Sequence, residues 1–150
     1  MQGEWPSLIR QCGPEVLLLV GSLAGQSDQR YAGDDRWYHL GDGRYTAVHD
    51  GTISQLLAEE HAYGTEVLFA NSSYSPSCAR ERVDDWNALL ATWAGRWSDV
   101  SVVDIAGPIA DAEAAAGHSL RPDALHLDDA TLQMIVQTVY VPVIEAAVDR

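Results

Sequence analysis

A three-layer α/β domain, one parallel sheet with helices on both faces, is the fold class this sequence predicts. Residues 15–20 hold a continuous apolar run with the length and aliphatic content of a strand buried on both faces, residues 66–70 read as a second buried strand, and residues 100–105 as a third strand. Segments with helical spacing separate them, and strand alternating with helix is the pattern of a parallel sheet. The 150 residues show no marked shift in composition, which points to one domain with one core.

Each element follows from local pattern. Trp5, Leu8 and Ile9 predict a short helix over residues 5–12, which Gly13 and Pro14 end. After the first strand, residues 22–44 are rich in Gly, Asp, Ser and Gln with no steady period, and read as a long loop carrying Tyr31, Trp37, Tyr38 and His39. The spacing of Tyr45, Val48, Ile53 and Leu57 predicts a helix over 45–63, with Gly64 as its C-cap. Turn formers fill 71–77 after the second strand. Val83, Trp86, Leu90, Trp93 and Trp97 then share one face of a helix over 82–97. Residues 106–120 read as a loop with at most a short Ala-rich turn. A last helix follows His126, with Leu132, Ile135, Val139 and Val143 on one face and a kink expected at Pro142.

Composition narrows the function classes. Hydrophobic residues make up 47% of the chain, enough to build a core and too many for a disordered segment. The formal charge is −13, with no Lys anywhere, so a phosphate backbone would be repelled and nucleic-acid binding is disfavoured. The longest purely apolar run, Val16–Val20, is too short to cross a bilayer, and no basic stretch precedes an apolar one at the N-terminus. The expectation is a soluble domain with neither membrane segment nor signal peptide, its compartment left open. Cys12 and Cys78 lack the spacing of a zinc site or a redox pair and are expected to be unpaired thiols. His39, Asp104 and His118 show no ligand spacing, so neither metal nor cofactor is expected.

Near the C-terminus, "RPDALHLDD" places Asp123 three residues before His126. In a nucleophilic hydrolase a histidine takes the serine proton, while a carboxylate fixes its tautomer and stabilises the imidazolium. A turn with three-residue spacing can bring both side chains to one side, and Pro122 stiffens its approach. The plainer reading is a polar turn that opens the last helix, with Asp128 as N-cap. Position favours the first reading. Sites on such sheets lie beyond the carboxyl ends of the strands, so the loops after Val20, Ala70 and Ile105 should share one edge with Asp123 and His126.

"LRPDALHLDDATLQMIV" resembles the last conserved block of the SGNH (GDSL-type) hydrolases, where Asp-x-x-His supplies two members of a Ser-His-Asp triad. "GPEVLLLVGS" resembles the strand leading to that family's third block, and "TEVLFANSSYSP" its next strand and loop. "RVDDWNALLATWAGRWSDVSVVDIAG" is similar to the helix and strand before the last block. "DDRWYHLGDGRYTAVHDGTISQLL" is similar to SGNH domains of actinobacterial type. The resemblance implies an SGNH/flavodoxin-like sheet and a serine esterase or O-acyltransferase acting on small acyl esters, acetylated carbohydrate among them. His126 would be general base and then acid, and Asp123 would orient it.

The sequence departs from that pattern at the nucleophile. No Gly-Asp-Ser block is present, nor the following block whose Gly donates to the oxyanion. Where the family has Gly-x-Asn, this chain reads Gly21-Ser22-Leu23. Ser22 therefore has two readings: a turn serine of the third block, or the nucleophile of a Gly-Asp-Ser-Leu block that has lost its Asp. Gly21, Leu23 and Ser72 are the candidate oxyanion or substrate-binding positions. Alternatively the domain is N-terminally incomplete and lacks its first strand, leaving a sheet edge through which copies would pair. Without a nucleophile, the other reading is an inactive remnant that binds carbohydrate or protein.

Overall fold

The structure is a computed structural model that describes residues 9, 11–21 and 26–150. Three strands, β1 (Val16–Val20), β2 (Glu66–Ala70) and β3 (Val100–Val103), form one parallel sheet in the order β1-β2-β3. Val16 pairs with Glu66, and Val67 with Val100. Flanked on both sides, β2 buries Val67, Leu68, Phe69 and Ala70. The expectation that β1 is buried on both faces does not hold: its residues are half-buried and Val20 is 57% exposed. Among the described residues only β2 borders it, so one flank of β1 stays open.

Alternation along the strands builds two cores. Val67, Phe69 and Val100 face Leu57 of α1 (Gly43–Tyr63) and Trp86, Leu90 and Trp93 of α2 (Arg80–Ala94). Leu68, Ala70 and Val103 face the opposite way. There they meet Ile109 of α3 (Ala106–Ala116), Ile135 of α4 (Asp129–Ile135) and Ala147 of α5 (Val141–Val148). Helices thus cover both faces, giving three layers. Trp93 is 1% exposed, and its indole N–H donates to Asp50 Oδ1 at 3.0 Å, so its burial strands no donor.

Several boundaries differ from the sequence expectation. The helix predicted over 5–12 lies mostly outside the described residues. α1 begins at Gly43 and ends where expected, with Gly64 at φ 73°. α2 stops at Ala94, so Trp97 lies beyond it and packs its ring 5.2 Å from that of His61. The predicted loop at 106–120 is largely helix, α3. Pro108 falls in its first turn, where an amide has no intrahelical partner to lose, and Asn71 Oδ1 accepts the amides of Ile105 and Ala106 that open it. The loop over 26–42 is held by its own residues: the Gln29 and Tyr38 backbones form an antiparallel bridge, and the Arg36 side chain lies 4.5 Å over the Tyr38 ring.

The last helix is continuous through a π-turn, Val136–Tyr140, in which the Val141 amide donates to the Val136 carbonyl. In a regular helix Pro142 would have no N–H for the carbonyl of residue 138 and its ring would crowd that oxygen. The wider turn relieves that conflict just before Pro142. The helix Asp129–Val148 is also long and apolar enough to cross a membrane by length and composition, although Thr131, Gln133, Gln137 and Thr138 keep its apolar runs short. Its inward stripe, including Ile135 and Ala147, is buried against the sheet.

Candidate functional site

Asp123 and His126 sit in a turn bounded by the Asp128 amide, which donates to the Leu120 carbonyl at 2.9 Å. Ala124 adopts φ 63°, a left-handed conformation that lets the chain fold back over the Asp123 carboxylate. Asp123 Oδ1 accepts the amides of Leu125 at 2.9 Å and His126 at 2.7 Å, while Oδ2 lies 2.6 Å from His126 Nδ1. The bond to the His126 ring, followed by the two amides, holds the Asp123 carboxyl well below the usual carboxylate range. An ionised Oδ2 accepts, so Nδ1 carries the proton and Nε2 of the neutral ring is the free base.

Two anchors tie this turn to the loop after β2. Ser77 Oγ donates to the Ala124 carbonyl at 2.8 Å. Arg121, with its side chain 6% exposed, donates from Nη1 to the Leu125 carbonyl at 2.7 Å and from Nη2 to Ser73 Oγ. Glu113 Oε1 lies 3.9 Å from its Nε and supplies the countercharge. Burial lowers the Arg121 pKa and Glu113 opposes that shift.

The strand ends are held as firmly. Asn71 Nδ2 donates to Asp104 Oδ1 at 2.8 Å; that bond, then the Gly107 amide, lowers the Asp104 pKa. Ser72 exchanges two bonds with the Asn87 side chain, each 2.8 Å, and its hydroxyl accepts from Gln26 Nε2 at 2.7 Å. Cys78 Sγ donates to Gln26 Oε1 at 3.2 Å, and Arg82 donates to the Gln26 carbonyl at 2.9 Å. At Gly21 a Cβ would lie 2.9 Å from Trp86 Nε1 and 3.5 Å from Ser72 Oγ, so the close approach of β1 to α2 requires glycine there.

Gly21, Ser72, Arg121 and His126 share the wall of one cleft of about 440 Å³ at the carboxyl end of the sheet. Four of the candidate residues are thereby associated: Gly21, Ser72 and His126 line the cleft, and Asp123 holds the His126 ring. Ser22 and Leu23 lie outside the described residues. Pairing with a carboxylate does not by itself distinguish His126. His39 Nδ1 lies 2.8 Å from Asp28 and His61 Nδ1 lies 2.7 Å from Asp99. Neither of those histidines lines the cleft. His118 Nδ1 contacts the Ser119 carbonyl. Among the described residues no three His, Cys, Asp or Glu side chains converge to hold a metal.

Arg121 and Gln26 were not anticipated from sequence. Arg121 stands inside the quoted motif, but its partner Ser73 is 48 residues away; Gln26 lies in a loop with no period and meets Ser72 across 46 residues. No local signal marks either contact. No family model and no curated protein matches the chain.

Proposed function

We propose that the chain is an SGNH-like serine esterase or O-acyltransferase domain that acts on small acyl esters, acetylated carbohydrate among them. The observation that carries this reading is the Asp123–His126 pair: a 2.6 Å contact, a carboxylate fixed by two amides, and a base that borders a cleft at the carboxyl edge of a parallel sheet. In the reaction, His126 Nε2 takes the hydroxyl proton of the nucleophilic serine as its Oγ attacks the acyl carbon. The imidazolium, stabilised by Asp123, returns that proton to the departing alkoxide. Water or a second alcohol then attacks the acyl-enzyme, again through His126. Ser22, which follows Gly21 in the sequence, is the nucleophile in this reading.

The absence of a Gly-Asp-Ser block favours a second reading, a non-catalytic module that binds carbohydrate or protein in the same cleft. Turnover of a short-chain aryl ester separates them. The first reading expects hydrolysis that falls roughly 10²- to 10⁴-fold in His126→Ala and is lost in Ser22→Ala. A parent chain with no turnover above buffer leaves the binding module.

A further inference from the structure

The cleft has two unlike walls. Ser72 and Ser73, just beyond β2, and Gln26, in the loop over 26–42, bring hydroxyl and amide groups to the lining. Ile105, Ile109, Leu125, Leu127 and Leu132 supply an aliphatic wall to the same cleft, and His126 stands in its lining. Ile105 and Ile109 belong to the buried core and are 9% and 1% exposed, which gives the wall a rigid floor. Leu132, in the first turn of α4, is 49% exposed and leaves its side chain at the rim. Arg121 is the one cation among the lining residues, and its guanidinium is already engaged by the Leu125 carbonyl and Ser73. With a formal charge of −13 on the chain, nothing here favours an acyl group bearing its own carboxylate.

We propose that this wall is an acyl-chain subsite, and that the preferred substrates are esters of uncharged straight-chain aliphatic acids rather than acetate. Small-ligand sites of 300–1,000 Å³ bury most of their occupant, and the cleft of about 440 Å³ suits a chain of about four to eight carbons along Ile105, Ile109 and Leu132. An acetyl group places a single methyl on the wall and leaves the rest in water. Full burial of each added methylene favours binding by about fourfold, and a cleft open on one side realises part of that. The placing of the ester carbonyl beside His126 rests on the esterase reading. The affinity of the wall for an alkyl chain does not.

The experiment has one arm without turnover and one with it. Methyl NMR spectra of the full chain are recorded with hexanamide and with acetamide at equal concentration, for the parent and for Leu132→Asp, whose exposed position spares the core. Expected are shifts at the Ile105, Ile109 and Leu132 methyls with hexanamide alone, lost in Leu132→Asp. Absent shifts, equal shifts with acetamide, or shifts unaffected by Leu132→Asp overturn the subsite. In the second arm, kcat/KM for aryl esters should rise at least about tenfold from acetyl to hexanoyl, and Leu132→Asp should flatten the rise. Turnover that is highest for acetate overturns the subsite and leaves the esterase reading intact. Hexanamide shifts without turnover of any ester support the subsite and overturn the esterase reading.

Discussion

The Arg121 guanidinium donates to the Leu125 carbonyl at 2.7 Å, closing the turn that carries Asp123 and His126 on a side chain that also reaches the β2 loop. Removing it leaves the Leu125 carbonyl without this donor, while Glu113 keeps the Ser119 hydroxyl and the Leu120 amide. Arg121→Met is expected to lower stability by about 1–3 kcal/mol in urea unfolding. On the esterase reading, ester turnover should fall further than that loss of folded protein explains, because the Asp123–His126 pair loses its support; equal falls would mean that Arg121 serves folding alone.

The Asp123 carboxyl has its pKa lowered by the His126 ring and two amides, against an ordinary value of 3.8. A group depressed in the folded state stabilises above its unfolded pKa, and the contribution is lost as pH falls through the folded one. Asp123 should therefore remain ionised in the folded chain below pH 3.8, as a carboxyl ¹³C titration would record. Asp28, Asp50, Asp104 and Asp128 are lowered too, so the acid limb of stability is shared. The part due to Asp123 is the difference between parent and Asp123→Asn curves, which should close as pH is lowered past that range.

Gly21→Ala would set a Cβ 2.9 Å from the Trp86 indole nitrogen. Forcing a methyl into that space should cost about 1–3 kcal/mol by chemical denaturation. The Trp86 fluorescence should shift as the ring is displaced. An unchanged spectrum with full stability would mean that β1 and α2 part without strain.

Asp128 caps the last helix by accepting the Thr131 amide at 2.7 Å. Asp128→Ala should cost about 0.5–2 kcal/mol. Amide exchange should rise first in residues 129–135, next to the turn that holds His126, and a uniform rise across the chain would contradict a local cap.

The strands were legible because a short aliphatic run needs cover on both sides, and Val67–Ala70 of β2 received it. β1 has the same apolar character but an open flank, and neighbours in the sheet are not written in a strand's own residues. α3 was hidden because Gly107 and Pro108 read as breakers and only Ile109 among its residues is buried, too little for a period. What opens that helix is Asn71, more than thirty residues earlier. At the site, three-residue spacing was enough to pair Asp123 with His126. Their anchors were illegible, since Ser73 and Ser77 reach the motif only through the fold.

The π-turn at Val136–Tyr140 also sets the phase of the chain's end. It holds one residue more than an α-helical turn would, and Ile135 before it and Ala147 after it both point inward. Deleting a single residue from this segment would restore regular winding and leave everything beyond it in phase, because the wider turn absorbs the one residue that regular winding would rotate by about 100°. Ala147 would keep its place in the core, and the cost would fall on Pro142, whose ring would again meet the carbonyl of a regular turn, so the extra residue serves the proline rather than the core.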